Sequence, residues 1–163
     1  MKKNFQKAYF AGGCFWGVEY YFQNLSGVES TSVGYMGGNS SNPSYEEVCK
    51  QNTGHAETLE VVFDQSKVTY EDLAKLFFEI HDPTQLNYQG PDIGDQYRSV
   101  VFYTNQNQKK IIKKLIKILK GKGYKVVTQL LPAGLFWKAE EYHQKYYSKN
   151  KKQPYCHFRQ KRF

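Results

Sequence analysis

The chain has 163 residues, 40% hydrophobic and 17% aromatic, with a formal net charge of +8. That length suits a single domain spanning 1–163 with a sizeable core, and the apolar content excludes a disordered chain. The basic start leads into no secretory apolar run, and no stretch has the ~18 uninterrupted apolar residues of a membrane span, so a soluble, cytoplasmic protein is expected.

In chain order, residues 7–11 read as a short strand running into Gly12-Gly13. From Cys14 the period changes: Phe15, Val18, Phe22 and Leu25 recur at helical spacing, so a helix runs to about Ser26-Gly27. Residues 32–36 form a second expected strand, closed by Gly37-Gly38, and 39–53 read as a polar loop. Residues 57–63 give a third strand. Thr69 with Asp72 three residues on is a helix start, Leu73, Leu76, Phe77 and Ile80 are its stripe, and Asp82-Pro83 stops it. The run 84–96 is a long loop and so a functional candidate.

Residues 97–103 alternate as a strand. A helix follows whose Ile111, Ile112, Leu115, Ile116 and Leu119 interleave with lysines from Lys109 to Lys120. Those lysines read as a solvated outer face, and no nucleic-acid signature accompanies them, although a basic nucleic-acid surface is the competing reading. Residues 124–130 are an expected strand, 135–147 a short helix, and 146–163 a long, irregular, mobile tail. The alternation fits an α+β fold, a mixed β-sheet with helices packed on it, better than a doubly wound parallel sheet.

Three cysteines, Cys14, Cys49 and Cys156, are too few and too scattered for a disulfide framework, a zinc ribbon or a C-x-x-C pair. His55, His81 and His143 with Glu140 and Glu141 lack metal-ligand spacing, so no metal is expected. Cys14 differs, falling where a glycine turn meets a helix start. Unpaired backbone N–H groups and the positive end of the dipole favour its thiolate, and Phe15 and Trp16 offer an apolar wall. On these features alone, a reactive thiol and a buried structural one stand level.

Six collinear blocks break the tie. Gly13-Cys14-Phe15-Trp16-Gly17, Gly34-Tyr35-Met36-Gly37-Gly38, Tyr45-Glu46-Glu47-Val48-Cys49, Gly54-His55-Ala56-Glu57, His81-Asp82-Pro83 and Gln96-Tyr97-Arg98-Ser99 resemble the A-type peptide methionine sulfoxide reductases. The similarity runs from about residue 7 to Cys156. It implies a two-layer ferredoxin-like plait and a monomer that needs no cofactor and reduces the S epimer of methionine sulfoxide, free or in proteins. It also implies the roles. Cys14 attacks the sulfoxide sulfur and Glu57 protonates the oxygen. Tyr45 and Tyr97 hydrogen-bond that oxygen, Asp92 supports the polar network, and Phe15 and Trp16 hold the methyl group. Cys156, in the tail, resolves the sulfenic acid to a disulfide that thioredoxin reduces, the alternative being direct reduction without a resolving thiol. Cys49 has no implied role and reads as an inert thiol. An idle relative that only binds oxidised methionine is the competing function.

Overall fold

A computed structural model describes residues 3–155 and 157–163. Among the described residues a six-stranded sheet has the order β7-β6-β1-β3-β2-β8. The central strand β1 (Phe5–Gly12) pairs antiparallel with both β3 (Ala56–Asp64) and β6 (Ser99–Tyr103). β2 (Val28–Met36) is antiparallel to β3, with Tyr35 opposite Glu57, and β7 (Gln129–Pro132) is parallel to β6. The short β8 (Trp137–Lys138) adds to the free edge of β2. The sheet is therefore mixed and the fold α+β, as the sequence implies.

Helices α1 (Phe15–Phe22), α3 (Tyr70–Ile80) and α4 (Gln106–Gly121) join successive strands. Their apolar sides meet one face of the sheet. Phe10, Phe22, Leu59, Phe63, Leu73, Phe77, Ile112 and Leu115 are all completely or almost completely buried there. Each such side chain contributes about 1.5–3 kcal/mol by leaving water. The other face buries Ala11, Met36, Ala56, Val100 and Phe102 beneath Leu131, Ala133 and Phe136. Because β1 is flanked on both sides, the turn at its end is held by the whole sheet. That turn carries Cys14.

The α3 start has the expected capping box, Thr69 accepting from the Asp72 amide and Asp72 accepting from the Thr69 amide. α4 buries Ile112, Leu115 and Leu119 and exposes Lys110, Lys113, Lys114 and Lys117, as its pattern predicts. Three expectations fail. The loop at 39–53 contains a short helix, α2 (Tyr45–Cys49), nucleated by a Ser44–Glu47 capping box. The strand expected at 124–130 begins only at Gln129, because residues 124–128 meet no neighbouring strand and the Val127 amide donates to the Pro83 carbonyl instead. The helix expected at 135–147 is replaced by β8, a 3-10 turn (Glu141–His143) and the start of α5 (Tyr146–Asn150), split by Lys145 in a left-handed conformation. Among the described residues no helix is long and apolar enough to cross a membrane.

Candidate active site

Cys14 is the N-cap of α1, with backbone angles of −54° and 120°. Gly13 before it has φ +96°, a left-handed value that strains other residues and lets β1 turn sharply into the helix. The Cys14 carbonyl accepts from the amides of Gly17 and Val18, so its side chain sits beside the first turn. It is 6% exposed.

Glu57 rises from β3 into the same turn. Its Oε1 accepts from the Phe15 amide, the first N–H of α1, at 3.1 Å. Its Oε2 is buried and meets no hydrogen-bond partner among the described residues. With the residue 1% exposed, burial pushes the acid well above the ordinary carboxylate range, and the nearby Cys14 and Asp92 charges add to this against the Phe15 amide. Burial thus favours the acid form of Glu57 over the carboxylate.

Tyr45 starts α2, and Tyr97 ends the 3-10 turn (Asp95–Tyr97) before β6. Burial raises both phenols, and the nearby Glu57 carboxyl is the next cause for each, so the two hydroxyls stay protonated. Asp92 lies on a two-strand ribbon, β4 (Tyr88–Gln89) with β5 (Asp92–Ile93), inside the long loop. The Gln89 side chain ties this loop to the Asp82 backbone and packs under Gly13, where a Cβ would lie 2.8 Å from that of Gln89. Asp92 accepts from the Tyr155 hydroxyl at 3.1 Å and adds to the charges on Glu57 and Tyr97.

The aromatic wall divides in two. Phe15 is fully buried against Tyr35 and His143, whereas Trp16 is half-buried and stacks on Tyr146 at 3.7 Å with the planes 8° apart. The Trp16 indole N–H donates to Nδ1 of His143 at 2.9 Å, and His143 also packs on Tyr45. Burial pushes His143 below its ordinary pKa, in keeping with a neutral ring whose Nδ1 accepts. Glu140 completes the frame, accepting from the Tyr45 amide at 3.0 Å and the Tyr35 hydroxyl at 3.1 Å. Cys49 also borders the site, hydrogen-bonded to Tyr45, and burial raises its thiol away from the reactive form.

Seven of the eight residues singled out in the sequence therefore converge: Cys14, Phe15, Trp16, Tyr45, Glu57, Asp92 and Tyr97. The eighth, Cys156, lies outside the described residues. His143, Glu140, Tyr35 and Tyr146 had no assigned place in this site. Tyr35 stands within the Gly34–Gly38 block, and the other three lie in the polar-aromatic run from Glu140 to Tyr147, within the stretch that the sequence assigns to a helix. The end of the chain also reaches the site: His157 is buried, its Nε2–H donates to the Gly12 carbonyl at 2.7 Å, and its own carbonyl accepts from the Tyr21 hydroxyl.

A family model described as "Peptide methionine sulfoxide reductase" matches residues 6–163. A protein named peptide methionine sulfoxide reductase MsrA from Nautilia profundicola is 50% identical over 150 residues, 92% of this chain and 87% of that one. Among solved structures, Mxr1 from Saccharomyces cerevisiae in reduced form superposes with a TM-score of 0.90 at 35% identity, covering 98% of this chain and 96% of its own. Mxr1 in complex with Trx2 superposes at 0.66 and 25% identity, covering 98% and 95%. A cysteine at a helix start beside a buried acid, in a chain matched over residues 6–163, leaves one assignment: the protein belongs to the peptide methionine sulfoxide reductase family.

Proposed function

We propose that the protein reduces the S epimer of methionine sulfoxide, free or within proteins, to methionine. The observation that carries this is Glu57: a buried carboxyl, pushed by burial toward its acid form, whose one oxygen accepts from the amide next to Cys14 and whose other is buried with no hydrogen-bond partner among the described residues. A sulfoxide is a poor electrophile until its oxygen is protonated or strongly hydrogen-bonded. Glu57 supplies that proton as general acid, and the Tyr45 and Tyr97 hydroxyls stabilise the oxygen as charge shifts onto it. Asp92 supports this polar network. Trp16, braced by His143 and Tyr146, and Phe15 behind it hold the methyl group.

The Cys14 thiolate attacks the sulfoxide sulfur. Oxygen passes to Cys14, which becomes a sulfenic acid, and methionine leaves carrying the two electrons that Cys14 has lost. Cys156 then attacks the sulfenic sulfur, an S–S bond forms and water departs, and thioredoxin returns the disulfide to two thiols. The yeast structure with Trx2 supports a thioredoxin as the reductant. The positions of Tyr155 and His157 support Cys156 as the resolver, since both neighbours rest on the site. We read 1–163 as one domain, its sheet as a ferredoxin-like plait, and 146–163 as the tail that carries the resolving cysteine. The protein acts as a cytoplasmic monomer without cofactor, metal, membrane or nucleic acid.

The test is direct. Incubated with each sulfoxide epimer and dithiothreitol, the protein should form methionine from the S epimer, and Cys14→Ser should abolish it while Cys49→Ser leaves it largely intact. No methionine from the S epimer, or the reverse pattern of variants, would sink this reading.

A further inference from the structure

Glu79, one residue from the end of α3, is 5% exposed and has no part in the sulfoxide chemistry. Yet its polar atoms are given over to the tail. Oε1 accepts from Nε and Nη2 of Arg159 at 3.1 and 2.9 Å, and Oε2 accepts from the Arg162 amide at 3.1 Å. The Glu79 carbonyl accepts from the Gln160 amide at 2.7 Å. Among the described residues, the donors to this buried carboxylate all come from residues 159–162. The grip is reinforced around it. Arg162 donates to the His81 carbonyl and lies over the Tyr124 ring, Lys122 donates to the Arg162 carbonyl, and the Phe163 ring meets Phe78 edge-on.

Two residues before Arg159, His157 is fixed to Gly12, and two before that Tyr155 is fixed to Asp92. Residues can separate by at most ~3.5 Å each, so a clamp at 159–162 leaves position 157 little room to wander. Charge-assisted hydrogen bonds to a buried carboxylate are among the strong ones, and losing one partner leaves the other unpaired.

We propose that Glu79 is a positioning residue for regeneration of the enzyme: by clamping residues 159–162 it holds the end of the tail close to the turn that carries Cys14, so the sulfenic acid closes quickly to the disulfide. The inference rests on the reading of Cys156 as the resolving thiol. In that step the Cys156 sulfur bonds to the Cys14 sulfur, the S–O bond breaks and the hydroxyl leaves as water with the thiol proton. Cys156 is oxidised and Cys14 reduced. Glu79 touches none of these atoms; it raises the effective concentration of the attacking group, which a freely moving tail would offer at only millimolar levels.

The experiment follows one turnover of the full chain with methionine sulfoxide by quenched mass spectrometry, using dimedone to trap sulfenic acid. In Glu79→Gln the first equivalent of methionine should form within about twofold of the wild-type rate. Disulfide closure should slow by about 10-fold or more, with dimedone adduct accumulating on Cys14. Turnover driven by excess dithiothreitol, which reduces the sulfenic acid directly, should be unchanged, a split that general loosening of the fold would not give. Disulfide closure at the wild-type rate in Glu79→Gln overturns the inference, provided Cys156→Ser forms no disulfide. If Cys156→Ser closes a disulfide as before, it is the underlying reading of the tail cysteine that fails. Should Glu79→Gln lose the first equivalent as well, Arg159→Leu at an exposed side chain decides: closure about threefold slower supports the clamp, and unchanged closure overturns it.

Discussion

At Glu57 two effects oppose each other. The Phe15 amide at the start of α1 favours the carboxylate, while burial and the neighbouring charges of Cys14 and Asp92 favour the acid. Burial is the largest and wins. The folded pKa is raised above the ordinary 4.5, so this group's contribution to stability is fully present below that value and is lost as pH rises through the raised one. Glu57→Gln, neutral at every pH, should therefore melt no lower than the wild type at pH 7, with its relative stability improving as pH increases. Its reduction rate should fall by about 10²–10⁴-fold, the range for losing a general acid. A variant both active and less stable at alkaline pH would contradict the assignment. The sequence could nominate Glu57 but not its raised pKa, because that comes from burial and from Cys14 and Asp92, which are distant in sequence and meet it only in the fold. His143 and Glu140 were harder still: their partners Trp16 and Tyr45 lie 127 and 95 residues away.

Helices with a clear stripe, α1, α3 and α4, were legible in the sequence because burial on one face imposes a period. α2 was not, since five residues are too few for a period, although Ser44 and Glu47 carried a capping-box signature. Residues 124–128 and 135–147 misled for the opposite reason: β-branched or aromatic content suggested regular elements where no partner strand or continuous helix exists. Within α1, Gly17 poses a question that helix propensity answers wrongly. Replacing an interior helix glycine with alanine ordinarily gains about 1 kcal/mol. Here the new Cβ would run into the His157 ring. Gly17→Ala should consequently leave α1 intact and lift the tail, seen as faster amide hydrogen exchange over residues 152–163 and several-fold slower thioredoxin-supported turnover. Wild-type protection of those amides would show that the ring simply steps aside.

Across the whole molecule, the sheet order brings distant parts of the chain to one spot. β1 sits at the centre, flanked by β3 and β6, so the turn after it is braced on both sides, and the last residues return along α3 to meet it. Much of the charge excess lies on the outer face of α4, where Lys114 also pairs with Glu71 of α3, and more is in the returning tail, where Arg159 pairs with Glu79. The return of the tail to Gly12 has a thermal consequence. A bond between Cys14 and Cys156 would tie off 156 − 14 = 142 residues of chain. Restricting so long a loop in the unfolded ensemble is worth on the order of 5 kcal/mol, which in a protein of this size shifts melting by roughly 15 °C. Calorimetry of the oxidised protein should give a transition higher by about that amount than after dithiothreitol, and Cys156→Ser should remove the difference. The catalytic cycle would then alternate between a looser and a tighter polypeptide, so that the heat resistance of the enzyme in a cell reports the balance between oxidised methionine and available reductant.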